Sequence, residues 1–114
     1  MSTYSPQLLK GTFQTIILKL LTQHKKMYGY EITQMVKQLS EGSINVSEGS
    51  LYPILHKMEE EGLVKTEKVN IGNRVRKYYA ITKPGASVCS EKIEEFSQFV
   101  KTMATILDPA ILSK

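Results

Sequence analysis

The chain has 114 residues, a formal net charge of +4 and a hydrophobic fraction of 41%. These values predict one globular domain and are not typical of a disordered tail or a membrane protein. Apolar runs such as Ile16–Leu18 are too short to cross a bilayer, and Met1–Ser5 shows no signal-peptide pattern. The single cysteine, Cys89, excludes an intramolecular disulfide, and we expect a cytoplasmic protein.

The positive charge is concentrated in one segment. Residues 1–62 carry six lysines and six glutamates, whereas residues 63–83 carry six basic residues against Glu67 alone. The remaining residues, 84–114, are weakly negative. This distribution indicates that residues 63–83 face a polyanion, although lysines that only keep a strand pair soluble would give the same count.

Two helices are predicted in the first third of the chain. The first begins with Ser5 as N-cap and Pro6 in the first turn, and it ends near His24–Lys26. The second begins near Tyr28 and ends at Gly42. Apolar residues at helical spacing predict their buried faces: Leu9, Phe13, Ile16, Ile17, Leu20 and Leu21, then Ile32, Met35, Val36 and Leu39.

A third helix follows a short β-branched segment, Ile44–Val46, which is predicted to be extended. With Ser47 as N-cap, Pro53 lies inside the helix and bends its first turns; with Ser50 as N-cap, Pro53 sits in the first turn without penalty. We favour Ser47. The helix is predicted to end at Gly62, with a buried side formed by Leu51, Ile54, Leu55 and Met58.

Two strands, Leu63–Val69 and Val75–Thr82, are predicted to form a hairpin with a compact turn around Gly72 and Asn73. Thr82 then caps a last helix, which has Pro84 in its first turn and stops at Asp108-Pro109. Apolar residues in this helix recur at alternating spacings of four and three, as in a coiled coil: Cys89, Ile93, Phe96, Val100, Met103 and Leu107.

This order of elements predicts a mainly α fold with a small β-hairpin: a winged helix-turn-helix followed by one C-terminal helix. The third helix is the candidate for the major groove of DNA. Its outward side is predicted to contain Gly49, Pro53, His56 and Glu60, flanked by Ser50, Tyr52 and Lys57. Phosphates would repel Glu59–Glu61, so we expect the N-terminal half to make the contact.

Four blocks of sequence strongly resemble the PadR-like transcriptional regulators, and together they cover roughly residues 8–107. The blocks are Tyr28-Gly29-Tyr30-Glu31-Ile32, Ser47-Glu48-Gly49-Ser50-Leu51-Tyr52-Pro53-Ile54-Leu55, Glu61-Gly62-Leu63-Val64 and Arg76-Lys77-Tyr78-Tyr79-Ala80-Ile81-Thr82. The single C-terminal helix resembles that of the short subgroup. The compact turn of the hairpin departs from the family, which limits the expected reach into the minor groove.

The resemblance implies a bacterial repressor that binds inverted-repeat double-stranded DNA as a homodimer. Residues 1–83 would form the DNA-binding part, and residues 84–114 the dimerisation helix that packs with the partner's N-terminal helix. The interface residues expected from this are Phe13, Ile17, Ile93, Phe96, Val100, Met103 and Leu107. The resemblance also implies an aromatic-lined cavity for a small aromatic effector, with Phe96 as candidate ligand-binding residue; plain aromatic packing is the alternative.

The candidate DNA-contacting residues are Tyr28, Ser50, Tyr52, Pro53, His56, Lys57, Arg74, Arg76 and Lys77. An ordinary exposed helix face, or strand residues that only aid solubility, would be the alternative for most of them. Tyr28 is a candidate because free N–H groups at the start of the second helix could bind a phosphate. Core packing by Tyr28 or Tyr30 is the competing interpretation.

Enzymatic activity and a cofactor are not expected. His24, His56 and Cys89 do not have metal-ligand spacing, and no phosphate-binding glycine loop occurs. No set of nucleophile, base and oxyanion donors can be named. The competing class of function is a winged-helix module that binds a protein partner, which the acidic end of the third helix would favour.

Overall fold

The structure, a computed structural model, describes residues 3–113. Five helices, a three-stranded sheet and a final 3-10 turn follow one another in this part of the chain. In order they are α1 (Pro6–Leu9), α2 (Phe13–Gln23), β1 (Met27–Tyr28), α3 (Gly29–Leu39), α4 (Glu48–Glu60), β2 (Val64–Ile71), β3 (Arg74–Ile81), α5 (Lys83–Leu107) and the 3-10 turn Pro109–Ser113.

The predicted first helix is interrupted, so the expectation of one continuous helix from Ser5 to His24–Lys26 was wrong. Ser5 caps α1 as expected, but Thr12 donates both its N–H and its hydroxyl to the carbonyl of Leu9, at 2.9 and 2.8 Å. These two bonds close a turn around the exposed Gly11, a residue with a low helix propensity. The chain then starts again as α2, which ends at Gln23 with His24 extended.

The third strand of the sheet was not predicted. Ile44–Val46 forms no strand; instead, the Ile44 N–H donates to the hydroxyl of Ser40 at 2.9 Å. The strand that joins the hairpin is β1, which pairs Met27 with Tyr79 and gives the sheet order β1-β3-β2. A two-residue strand carries no alternating pattern, so periodicity alone gave no signal for it.

The predicted start of α4 is confirmed. The Ser47 hydroxyl accepts a hydrogen bond from the Ser50 N–H at 3.1 Å, and Pro53 lies inside the helix. The helix ends at Glu60, and Gly62 follows with φ of +77°, a conformation that glycine adopts without steric cost.

The hairpin is longer than predicted because its strands continue almost to the turn. Ile71 pairs with Arg74, which leaves Gly72 and Asn73 as a two-residue turn. Gly72 has φ of +61°, as the first central residue of a type II′ turn requires.

The core lies between the helices and one face of the sheet. Tyr79 of β3 is buried against it, together with Met27 and Val64 from the other two strands. The buried helical residues at the centre are Ile17, Leu18, Leu20, Leu21, Ile32, Val36, Leu51, Leu55 and Met58. Except for Ile54, which is half-buried, the predicted buried side of α4 is therefore fully buried.

The start of α5 is joined directly to the end of α4. Thr82 caps α5, accepting from the Gly85 N–H at 3.1 Å, and its hydroxyl donates to the carbonyl of Gly62 at 2.6 Å. The Thr82 N–H also donates to the carbonyl of Leu63 at 3.1 Å. A Cβ on Gly85 would collide with that same carbonyl oxygen, so the backbones touch here.

The apolar stripe of α5 is fully buried at its start and only partly covered beyond it. Cys89 is buried, and α5 packs on α2. Farther along, Val100 and Met103 are half-buried, whereas five large apolar side chains are exposed: Ile93, Phe96, Phe99, Ile106 and Leu107.

Candidate nucleic-acid interface

The outward side of α4 carries the side chains expected there. Ser50, Pro53, His56 and Lys57 are all exposed. Three of them, Ser50, Pro53 and Lys57, border an open cleft of about 1400 Å³ between α4 and the N-terminal segment. His56 lies 3.7 Å from the carboxylate of Glu60. The surface offers small and polar groups at the N-terminal half of the helix.

Tyr52 faces the start of α3 as much as it faces solvent. It is 43% exposed, and its hydroxyl donates to Glu48 at 3.3 Å. The ring occupies the space beside Gly29, where a Cβ would lie 2.8 Å from the Tyr52 hydroxyl oxygen. Burial, followed by the nearby Glu48 carboxylate, raises the pKa of Tyr52 above its ordinary value, so the hydroxyl stays a donor at neutral pH.

The basic residues of β3 lie on two faces of the sheet. Side chains alternate along a strand, so Arg74 and Arg76 share the face of Tyr78, whereas Lys77 shares the face of the buried Tyr79. Arg76 and Lys77 are adjacent in the sequence and were both predicted to contact DNA. The structure places them on opposite faces of the sheet.

Arg76 is held against an aromatic cluster. Its guanidinium carbon lies 4.1 Å from the centroid of the Tyr28 ring, within cation–π range. The Tyr28 and Tyr78 rings meet edge to face at 5.4 Å. A hydrogen bond to Tyr78 is the largest cause that raises the pKa of Arg76 above its ordinary value, so the cation persists at any working pH.

Lys77 is paired with the end of α4. Its ammonium lies 3.5 Å from a carboxylate oxygen of Glu59 and 5.5 Å from the centroid of the Tyr79 ring. The other Glu59 oxygen accepts from the Thr66 hydroxyl at 3.0 Å. Glu59 therefore joins α4 to both strands of the hairpin, a role that the sequence did not predict for the glutamate run.

The start of α3 is not open to a phosphate at Tyr28. The Tyr28 N–H donates to the carboxylate of Glu31 at 3.1 Å, and the half-buried Tyr28 ring supports Arg76. An anion bound at this N–H would have to displace Glu31, which corrects the expectation of a free N–H group there.

The expected interface residues differ in exposure. Ile17 is 0% exposed in the core of its own protomer, which removes it from the residues that a partner could contact. Phe13 is half-buried beside the cleft, and Phe96 is 48% exposed on α5. Phe96 is not among the residues that line the cleft beside α4.

Three residues of this surface were missed by sequence reasoning: Lys26, Glu59 and Tyr78. Lys26 lies 3.1 Å from Glu67 and 5.0 Å from the centroid of the Tyr78 ring. The alternation of β3 could have paired Tyr78 with Arg76, but the position of β1 beside β3 was needed to bring in Tyr28 and Lys26.

Among residues 3–113, no cluster of His, Cys, Asp and Glu has the arrangement of a metal site. Within the same range, no helix combines the length and apolar character needed to cross a membrane.

A helical core, the outward-facing helix α4 and the basic hairpin that it contacts define a winged-helix transcriptional regulator. Residues 17–91 match the family described as "Transcriptional regulator PadR-like family". The chain therefore belongs to the PadR-like family, whose members are transcriptional regulators and not enzymes.

Similar proteins occur among both characterised sequences and solved structures. The chain is 32% identical over 83 residues to the transcriptional regulator Rv3488 of Mycobacterium tuberculosis, covering 69% of this chain and 75% of that protein. A transcriptional regulator structure from Clostridium thermocellum superposes with a TM-score of 0.84 at 28% identity, covering 92% of this chain and 99% of that one. A PadR-like regulator of Bacillus cereus gives 0.76 at 32% identity, covering 90% and 97%.

Proposed function

We propose that the protein is a sequence-specific DNA-binding repressor that acts as a homodimer on an inverted-repeat operator in the cytoplasm. One observation carries this proposal: α4 exposes Ser50, Pro53, His56 and Lys57, and Glu59 of the same helix contacts a hairpin whose strand β3 carries Arg74 and Arg76. An α-helix fits the major groove, and cationic side chains on a neighbouring strand suit the flanking phosphates.

The roles of the two parts follow from this arrangement. Residues 1–83 bind DNA, with Tyr28, Tyr52 and Lys77 supporting the contacts and the exposed residues of α4 reaching base edges. Residues 84–114 dimerise through α5, because the exposed Phe96, Phe99, Ile106 and Leu107 form an apolar surface that a second copy would cover. A bound dimer blocks access to an overlapping promoter, which accounts for repression.

The direct test is selection of duplexes from a random pool by the purified protein. A two-fold dimer should recover an inverted repeat with half-sites about one or two helical turns apart. Binding should weaken steeply with salt, since roughly 6–10 phosphate contacts release that many counterions. If no duplex is retained even at low salt, the DNA-binding function is wrong and a protein-binding module takes its place.

An aromatic effector is the final part of the proposal. Phe96 is half exposed in the middle of α5, where two copies of the helix would bring two rings together. A planar compound between them would gain roughly 0.5–1.5 kcal/mol from stacking beyond burial of its area. The bound compound would release DNA only by favouring a different spacing of the two α4 helices of the dimer.

Its test is a screen of phenolic acids and cationic dyes by thermal shift, comparing the wild type with Phe96→Ala. Operator affinity should fall only modestly, because Phe99, Ile106 and Leu107 remain on the apolar face of α5 and α3 and α4 are unchanged. The ligand response should vanish. Equal responses of the two proteins would show that Phe96 is ordinary packing.

A further inference from the structure

The Tyr28-Gly29 dipeptide touches both elements of the proposed DNA surface. On one side, the ring of Tyr52 from α4 lies in the space that a side chain on Gly29 would fill. On the other side, the ring of Tyr28 lies under the guanidinium of Arg76 from β3. Two adjacent residues at the start of α3 therefore fix Tyr52 of α4 and Arg76 of the hairpin.

Tyr28 is itself held from two directions. Its N–H is bonded to the Glu31 carboxylate at 3.1 Å, and its ring meets Tyr78 at 5.4 Å with an interplanar angle of 74°. Tyr78 in turn lies under Lys26, which pairs with Glu67 across the sheet. Glu31 of α3 therefore holds the backbone of Tyr28, and Tyr78 of β3 holds its ring. The ring forms a fixed platform.

A fixed platform changes what Arg76 can do. A free arginine on a strand loses much rotamer entropy when it orders on a phosphate. A guanidinium held 4.1 Å from the centroid of a ring has already given up much of that freedom. Arginine has five N–H donors, so donors remain for an anion beside the hydrogen bond to Tyr78. The contact with the Tyr28 ring thus fixes the position of the Arg76 guanidinium and leaves some of its donors available.

We propose that Tyr28 and Gly29 are positioning residues for DNA binding: Tyr28 places Arg76, Gly29 places Tyr52, and the dipeptide sets the distance between Arg76 of β3 and the helix α4. This inference rests on the proposed DNA-binding function. A purely structural Tyr28 would affect folding alone, whereas a positioning residue affects DNA affinity through Arg76 and through no other group.

The test is a double-mutant cycle on the affinity for a 30-base-pair duplex of mixed sequence. Fluorescence anisotropy measures the affinity, and the melting temperature of each variant shows whether it is folded. Tyr28→Phe keeps the ring and should stay within about twofold of wild type. Tyr28→Leu should weaken binding roughly three- to tenfold, as removal of a cation–π interaction from each subunit implies. Combined with Arg76→Ala, it should add less than about twofold.

Two further variants protect the test from misfolding. Arg76→Lys keeps the positive charge but removes the planar guanidinium that lies over the Tyr28 ring. It should therefore also weaken binding about threefold or more. Tyr30→Leu is the matched control, because Tyr30 is 52% exposed and makes no ring stacking or cation–π contact with any residue that the structure describes. It should leave affinity unchanged.

The Gly29 arm uses a second cycle. Gly29→Ala should push the Tyr52 ring aside, because a ring end can move where backbone cannot, and should weaken binding several-fold without unfolding the protein. In a Tyr52→Ala background the same change should have no further effect. An equal loss of affinity in both backgrounds would show that Gly29 does not act through Tyr52.

The outcomes separate this inference from the function on which it rests. If the wild type binds no duplex, the proposed function itself fails. If the wild type binds and Arg76→Ala weakens it, while Tyr28→Leu has no effect or multiplies with Arg76→Ala, only the positioning role is overturned. Wild-type affinity in Arg76→Ala overturns it as well, since there is then no arginine contact to position.

Discussion

Glu59, near the end of α4, accepts a hydrogen bond from the hydroxyl of Thr66 in β2 at 3.0 Å. The same carboxylate pairs with Lys77 of β3 at 3.5 Å. The hairpin is thus fastened to α4 by one side chain that contacts both of its strands.

Removal of this carboxylate should loosen the hairpin. Glu59→Ala is expected to lower the free energy of unfolding by about 0.5–1.5 kcal/mol, the usual net contribution of a hydrogen bond at a partly buried site. Urea denaturation measures the difference. Glu60→Ala is the control, because Glu60 is exposed and pairs with the equally exposed His56, and it should change stability much less. Equal effects would contradict the anchoring role of Glu59.

The two faces of β3 should differ in DNA binding. Arg76→Ala should reduce the slope of log affinity against log salt by about 0.9 for each phosphate that is no longer neutralised. Lys77→Ala should reduce it less, because Glu59 already holds the ammonium. Anisotropy titrations over a salt series give both slopes. If Lys77→Ala lowers the slope as much as Arg76→Ala, Lys77 leaves Glu59 when DNA binds.

Dimerisation should depend on the exposed apolar face of α5. A charge at Phe99 should convert the dimer to a monomer or weaken it strongly, because a carboxylate buried in an apolar interface loses its hydration. Sedimentation velocity of Phe99→Asp compared with Thr105→Asp measures this, since Thr105 is exposed and lies about 120° from Phe99 around the helix axis. A wild-type protein that is monomeric at micromolar concentration would rule out dimerisation.

Cys89 should be unreactive in the folded protein. Its thiol is buried, and burial raises its pKa above the ordinary value of 9.0, only partly offset by Lys19. A raised folded-state pKa favours the neutral thiol, so this contribution to stability is complete below the ordinary pKa and is lost as pH rises through the folded one. An aromatic disulfide reagent at pH 8 should react slowly with native protein and rapidly in urea. Fast reaction of the native thiol would contradict this.

Local chemistry accounts for most of what the sequence predicted correctly. The cap at Ser47, the cap at Thr82, the stop at Asp108-Pro109 and the buried side of α4 each depend on residues close in the chain. The break at Gly11 was missed because two bonds from Thr12 outweigh a continuous apolar pattern. Strand β1 was missed because its pairing with β3 joins residues some fifty positions apart.

The candidate surface shows the same division. Exposure of Ser50, Pro53, His56 and Lys57 follows from helical periodicity, so the sequence predicted it. Glu48 and Glu31 lie at local helical spacing from Tyr52 and Tyr28. The contacts of Tyr28 with Arg76, of Tyr52 with Gly29 and of Lys77 with Glu59 join different elements, and no spacing within the chain specifies them. Ile17 illustrates the limit: an apolar residue on a helix is predicted to be buried, but the sequence does not say whether its own protomer or a partner buries it.

The close approach at Gly85 has a consequence for the rotational phase of α5. Because Thr82 is bonded to Gly62 and Leu63, the first turn of α5 cannot rotate about the helix axis independently of the end of α4. Each residue advances an α-helix by about 100°, so the azimuth of Phe96 and Phe99 relative to α4 is determined by how many residues separate them from Gly85. Insertion of one alanine after Ser90 would turn the exposed face by about 100°, and insertion of seven would nearly restore its direction while lengthening the helix by about 10 Å. The number of residues between Gly85 and the exposed apolar face of α5 thus determines the direction from which a second copy could pack against that face.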